Sequence, residues 1–390
     1  MAKRWLASGA IAMGLVAAGC GGSGDQTADP GSSPSMASSG TSSGCSVPAD
    51  GKTLGSILAL VPDSPENRGY LTVSDLRAFL DDQDATLPDD FGEIRFVDPV
   101  ALFAPSDLLQ QAVMQRDDDP DPLATEYGIS IGQVDRAVSF GEPPDTTDLL
   151  IGSFDPAAVA TAVEAEPVWS DELEQATSNG QTFYTWGEDN KVSGEGRTPM
   201  RQLGIGGRLW AGDTVAGFTR STAVMEDLLA ACTGAAPSLG DDPAFAGIAE
   251  RLDAFDEAFN VTFTDQVSDG TDPSPRGSTP ASPASDVATP LAGVTAYGFA
   301  SGPSDDPEQA RIRLVIASGS DEQAAANETA FADIVETGAS VTTRRPWSDL
   351  LQIESSEVDG RFLVVELRAS NSRVLDNAVL ERDTLVVTEG

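Results

Sequence analysis

Apolar and polar positions alternate in "YLTVSD" (residues 70–75) and "NVTFTD" (260–265), the period of a half-buried strand, and both segments end in Asp. Each follows a stretch with apolar residues at helical spacing, "TLGSILALV" before the first and "AFAGIAERLDAF" before the second. The succession recurs farther on. "RAVSFGEP" from Arg136 corresponds to "TAYGFASGP" from Thr295, and "DLLIGSFDPAAVATAVEA" from Asp148 to "RIRLVIASGSDEQAAANETAFADIV" from Arg311, a strand running into a helix. Helix starts are marked by Asp155 as N-cap with Pro156 at the first helical position, and by Ser320 with Gln323 as a capping box. Two strands and a closing helix follow in each half: "QTFYTWG", "GRLWAGDTVAGFT" and "STAVMEDLLAA" in the first, "LLQIES", "GRFLVVELRA" and "SRVLDNAVLE" in the second.

The pattern predicts an α+β fold of two related modules, residues 46–240 and 241–390, each a mainly antiparallel sheet with helices packed on one face. Apolar residues at 40% of positions and a length suited to about two domains agree with this. The halves differ by insertions at one place. The first carries a partly helical segment, roughly Leu76 to Val134; the second carries a Pro/Ser/Thr-rich stretch, residues 268–290, whose composition predicts a disordered loop.

The N-terminus has another character. Lys3 and Arg4 precede an apolar run from Trp5 to Ala18, and the small residues Ala17, Ala18 and Gly19 lead to Cys20, a pattern of a signal peptide over residues 1–19 that is too short to span a bilayer comfortably. The stretch resembles the lipobox of bacterial lipoproteins, with Ala17 where Leu is commonest. The resemblance implies cleavage before Cys20 and lipid attachment to it, hence a protein on the cell membrane, lipid-anchored and facing outside the cytoplasm, in the periplasm or at the cell surface. Each buried methylene contributes about 0.8 kcal/mol, so two acyl chains hold such a protein stably. Residues 20–45 are the lipidated cysteine and a Gly/Ser-rich flexible tether. The mature region resembles uncharacterised extracytoplasmic surface lipoproteins, a likeness that implies no activity.

Charge and missing residue types narrow the chemistry. Asp and Glu total 62 against 23 Lys and Arg, a formal net charge of −39. Such a surface repels nucleic-acid phosphate and attracts cations or a basic partner; it also suits a saline medium that screens self-repulsion. The chain has no histidine, the usual base of a hydrolytic triad and usual ligand of catalytic zinc. Gly128-Ile129-Ser130-Ile131-Gly132 formally matches the G-x-S-x-G nucleophile elbow. Ser130 has no His to take its proton, however, and with Gln133 it spells a capping box, so it is expected to cap a short helix. Cys45 and Cys232 remain after Cys20. They suit either one disulfide in an oxidising compartment or a buried Cys232 at a helix end with Cys45 free.

Other stretches offer candidate sites. "ALFAPSDLLQQAV" resembles the strand-to-helix motif of fasciclin-type adhesion domains through Phe103-Ala104-Pro105-Ser106-Asp107, but that family's second, His-containing motif has no counterpart, and Ser106 or Asp107 reads as a helix cap. The acidic runs from Asp81 and Asp117 lack the spacing of a calcium loop and read as solvated charge. Tyr184 and Trp186 share a strand face, as half-buried aromatics do. The glycines of "LGIGGRLW", from Leu203, lack a phosphate-loop fingerprint and read as a turn. Arg344 and Arg345, beside Trp347, suit an internal salt bridge or a clamp on an anion. No catalytic, metal or cofactor constellation assembles. The expectation is a lipid-anchored extracytoplasmic binding or structural protein, not an enzyme and without cofactor, whose partner is a protein or a small solute. The alternative is the solute-binding lipoprotein of an ABC-type importer. A hydrolase using carboxylates alone stays open.

Overall fold

Consecutive apolar residues in the middle of two strands, Leu149-Leu150-Ile151 and Leu314-Val315-Ile316-Ala317, require that both faces of the sheet be buried, since side chains alternate across a strand. The computed structural model, which describes residues 45–47, 53–84, 86, 106–115, 119, 121–201, 203–255, 258–267, 290–304, 306, 309–340, 342–381, 383 and 385–386, meets that requirement. Cys20, the tether, Phe103 to Pro105 and residues 268–289 lie outside the described residues.

The first half supplies β1 (Leu71–Asp75), β2 (Val134–Phe140), β3 (Thr147–Gly152), β4 (Glu174–Ser178), β5 (Gln181–Trp186), β6 (Gly207–Ala211) and β7 (Val215–Thr219). The second supplies β8 (Asn260–Thr264), β9 (Val294–Gly302), β10 (Ala310–Ser318), β11 (Leu351–Asp359) and β12 (Phe362–Ala369). These described strands form one sheet in the order β11-β12-β10-β9-β8-β1-β2-β3-β7-β6-β5-β4, with every pair antiparallel. Outward from the centre, β1-β2-β3-β7-β6 mirrors β8-β9-β10-β12-β11. The halves meet where β1 pairs with β8 and Val73 lies opposite Val261. They are thus two wings of one sheet, within one compact unit, Ser42–Gly390.

Two details differ from the sequence reading. "GRLWAGDTVAGFT", expected as one strand, is the hairpin β6–β7, closed by a Gly212 N–H bond to the Val215 carbonyl at 2.8 Å; Gly212-Asp213 is the turn signal. The counterpart of β11–β12 is therefore β6–β7, and β4–β5 is an added hairpin at the first wing's outer edge. Helices, expected on one face, cover both. The short α2 (Pro65–Gly69) leads into β1; on the first face, α1 (Leu54–Leu58) and α8 (Pro243–Asp253) set Ile57, Phe245, Ile248 and Leu252 against Val73, Val138, Leu149 and Val261. There α7 (Thr222–Cys232) adds Met225 and Leu228. On the second face, α3 (Leu76–Gln83), α4 (Asp107–Gln115), α5 (Pro122–Tyr127) and α6 (Pro156–Ala165) cover the first wing, and α9 (Asp321–Thr337) and α10 (Val374–Leu380) the second.

Between those second-face clusters, the alternation of β1 and β8 leaves a seam of hydroxyls. Thr72, Ser74, Thr262 and Thr264 are buried there. The Ser74 hydroxyl donates to Asn260 Oδ1 (2.8 Å), Thr264 to the Gly69 carbonyl (2.6 Å) and Thr262 to Asp376 Oδ1 of α10 (3.0 Å), so the burial leaves them satisfied.

Local capping follows the sequence closely. Asp155 accepts from Ala157 N with Pro156 opening α6, and Ser320 accepts from Gln323 N at the start of α9. The chain enters the fold at a fastened point: Cys45 is disulfide-bonded to Cys232 at the end of α7, with Cα atoms 5.1 Å apart, and Val47 N donates to Thr214 Oγ1 in the β6–β7 turn. Gly128 ends α5 at φ +69°, where a β-carbon would come within 2.6 Å of the Ala158 carbonyl oxygen in α6. Gly128→Ala is expected to cost about 2 kcal/mol, from left-handed strain and loss of this close approach. A urea midpoint unchanged from wild type would contradict that account.

Candidate functional site

The central strand pair also defines a cleft on the first face, near the C-terminal end of β1. Asp75 closes β1 and turns the chain into α3, its carboxylate accepting from Ala78 N at 2.8 Å as the helix N-cap. In register opposite it stands Arg136 of β2, whose Nε donates to Asp75 Oδ2 at 2.6 Å. From the other side comes Asp253, the last residue of α8, which caps the start of α1 by accepting from Leu54 N at 2.9 and 3.2 Å. Two carboxylates and one guanidinium thus converge from three elements, β1, β2 and α8. Asp253 is exposed at the mouth. Partial burial holds its carboxyl above the usual carboxylate range, against the opposing pull of its helix-capping bonds and of Arg136.

The other lining residues are apolar, and most of them are buried. Val73 and Val261 form the floor, with Leu54, Leu252, Phe255 and Phe259 at the sides, around a cleft of about 310 Å³. That lies at the lower end of the range of small-molecule sites. Phe259 is braced edge-on by Phe79 (5.7 Å between centroids), and the Phe255 ring lies beneath the guanidinium groups of Arg311 and Arg313 at 5.3 and 5.4 Å.

The residues singled out from the sequence fall elsewhere. Ser130 caps a single 3₁₀ turn, Ile131–Gln133, with both halves of its capping box formed, and a helix, α5, precedes it where the nucleophile elbow needs a strand. Its hydroxyl donates to Asp121 Oδ2 at 2.6 Å. Ser106 Oγ accepts from Leu109 N at the start of α4. In the second acidic run, Asp121 caps α5 by accepting from Ala124 N, and Asp119 accepts from Thr125 Oγ1. Among the described residues no three potential metal ligands gather, and no helix is long and apolar enough to cross a membrane. Arg344 and Arg345 are exposed, Arg345 donating to the Asp349 carbonyl, while Trp347 is buried. Gly204 sits in the turn before β6, at φ +62°.

Trp186 belongs to a buried aromatic stack with Trp169 (4.8 Å) and Tyr127 (6.1 Å), capped by Arg201 at 5.1 Å from the Trp169 ring and 5.7 Å from Trp186. Tyr184 stays half-buried, its hydroxyl 3.4 Å from Glu164. Sequence reasoning missed the cleft because its polar groups lie at positions 75, 136 and 253. The terminal Asp of the "YLTVSD" repeat and the Arg opening "RAVSFGEP" were the available signals.

No protein-family model and no curated protein matches the chain. Two solved structures, crystal forms I and IV of TP0453, align with TM-scores of 0.37 and 0.38 at 8% and 7% identity, in each case over 83% of this chain and 96% of that one.

Proposed function

We propose that this chain is a lipid-anchored extracytoplasmic protein that works by binding and not by catalysis, with the cleft beside β1 and β8 as its ligand site. The cleft carries the reading: a cavity of small-molecule size in which two carboxylates and a guanidinium meet apolar side chains. No hydroxyl or thiol lines it among the described residues, and both carboxylates spend oxygens on capping helices, whereas glycoside hydrolysis needs two carboxyls directed at a substrate. Anchoring rests on the lipobox-like stretch ending at Cys20, and a bond between Cys45 and Cys232 suits an oxidising compartment outside the cytoplasm.

The solute-binding lipoprotein of an importer shares the anchor and the ligand. Against it stands the antiparallel pairing of every described strand, since such proteins are built of parallel strand-helix-strand lobes.

The test uses the full chain with Cys20→Ser, which cannot be lipidated, and follows its melting temperature against sugars, amino acids, peptides, amines and fatty acids. A ligand at a hundred times its Kd adds about 2.7 kcal/mol. One solute class should raise the melting temperature, and Ala78→Trp, which fills the cleft from its rim, should abolish the rise. No response to any class would leave a protein partner or a structural role as the better account. Mass spectrometry of the native chain extracted from membranes should find Cys20 first in the sequence and acylated.

A further inference from the structure

We infer that Asn179-Gly180, the turn between β4 and β5, is a site of spontaneous chemical modification: Asn179 loses its amide and passes to isoaspartate, which unfastens β4 from the sheet. The ring closure that starts this change is fastest where the residue after the asparagine carries no side chain, and Asn-Gly occurs once in the chain. Here these two residues alone join the strands, with Ser178 opposite Gln181, and both have positive φ, +50° and +77°, as a type I′ turn demands. The pair that makes the tightest hairpin is thus also the pair most open to ring closure.

The turn leaves the reacting groups accessible. Asn179 and Gly180 are exposed, a β-carbon on Gly180 would meet nothing within 4 Å, and the Gly180 N–H has no acceptor among the described residues. The Asn179 amide is held by its neighbour alone, Nδ2 donating to Ser178 Oγ at 3.1 Å. Once hydroxide removes the Gly180 amide proton, the Gly180 nitrogen bonds to Asn179 Cγ and the Cγ–Nδ2 bond breaks. Ammonia leaves, its third hydrogen coming from water, which restores the hydroxide. The succinimide then adds one water: opening at the main-chain carbonyl gives isoaspartate, opening at Cγ gives aspartate. In sum ammonia is exchanged for water, with no change of oxidation state.

Each of the other six asparagines is followed by a residue with a side chain. Most are also restrained. Asn67 and Asn190 tie their amides to the Pro62 carbonyl and to Asp145, Asn260 accepts from Ser74, and the buried Asn327 bonds to Ala292 and Ser318. Isoaspartate carries the main chain through the former side-chain carbon, adding a methylene to a turn whose two residues must span the strands. The strand that gives way is β4, which is outermost and pairs with β5 alone, so its release breaks no other pairing. Ala176 then leaves its packing against the first-face core.

The test is to age the Cys20→Ser full chain at mildly alkaline pH, folded and in urea, and to follow every asparagine by peptide mass spectrometry. Asn179 should exchange its amide for a carboxyl ahead of the others, with sequential degradation stopping at the isoaspartate. Folding should slow it by less than about tenfold, because an exposed edge hairpin opens readily. Asn179→Gln, whose ring closes far more slowly, should stay unmodified at this position. Hydrogen exchange of the aged chain should show the amides of β4 losing protection while those of β6 and β7 keep theirs. Should Asn179→Gln fail to fold, the ranking of the seven asparagines in the chain that retains Asn179 still decides. Asn179 converting no faster than the others, or slowed by folding more than about tenfold, overturns the site. Conversion that leaves β4 as protected as before overturns the release of the strand.

Discussion

Breaking the Cys45–Cys232 bond is expected to lower the unfolding free energy by about 5 kcal/mol, the largest single effect this structure predicts. The bond closes a loop between residues 187 apart in sequence, and in the chain-entropy model so long a cross-link restricts the unfolded ensemble by about that amount. Cys45 and Val47 are buried in the first-face core, so release of the segment also loosens apolar contacts there. Against a typical stability of about 5–15 kcal/mol, the loss is a large fraction of the whole. Guanidinium unfolding of the oxidised protein and of the Cys45→Ser, Cys232→Ser double variant should show the midpoint falling steeply. Equal midpoints, or two reactive thiols in the denatured, unreduced protein, would show that the bond is absent or inert.

Asp376 governs the second large effect, a dependence of stability on pH. Burial against the β8 seam raises its carboxyl from the ordinary 3.8 to about 6, opposed by the hydrogen bond from Thr262 and by Arg373. Tyr70 also feels this carboxylate, and its own ionisation is pushed upward, by burial first. Below about pH 3, under both the unfolded value of 3.8 and the folded one, Asp376 is protonated in folded and unfolded chains alike and costs nothing. As pH rises toward 6 the unfolded chain ionises first, so stability is lost across that interval and levels off above it, by at most about 3 kcal/mol for a shift of this size. Asp376→Asn should therefore be more stable than wild type at pH 7.5 and equal to it near pH 3, read as the difference between the two unfolding curves so that other carboxyls cancel. A constant difference across that range, or a variant less stable at pH 7.5, would contradict the burial account.

How much of this was legible depends on the range of the interaction. Caps are local: Asp155 and Ser130 do what their spacing says, and Ser320 caps α9 with its own half of the expected box. Strand alternation gave the antiparallel wings, because a period of two needs only a few residues to declare itself. Two features were written in the sequence but not read from it. The unbroken apolar runs at Leu149–Ile151 and Leu314–Ala317 signal helices on both faces, and Gly212-Asp213 signals the β6–β7 hairpin. The cleft was illegible for another reason. Nothing local relates Asp253 to Asp75; they meet because β1 pairs with β8 and α8 ends beneath that joint, a matter of register between distant segments.

The mirrored strand order has a bearing on how the chain acquires its shape. Every pairing within the first wing joins residues between 71 and 219, every pairing within the second joins residues between 260 and 369, and among the described strands β1–β8 alone crosses from one to the other. During synthesis the first wing can zip up while the second is still being made, its innermost strand waiting as an open edge. Joining that edge to β8 closes a long loop and is entropically the most demanding pairing in the sheet. Assembly is thus expected to run from each wing inward, with the joint that frames the cleft the last part of the sheet to form.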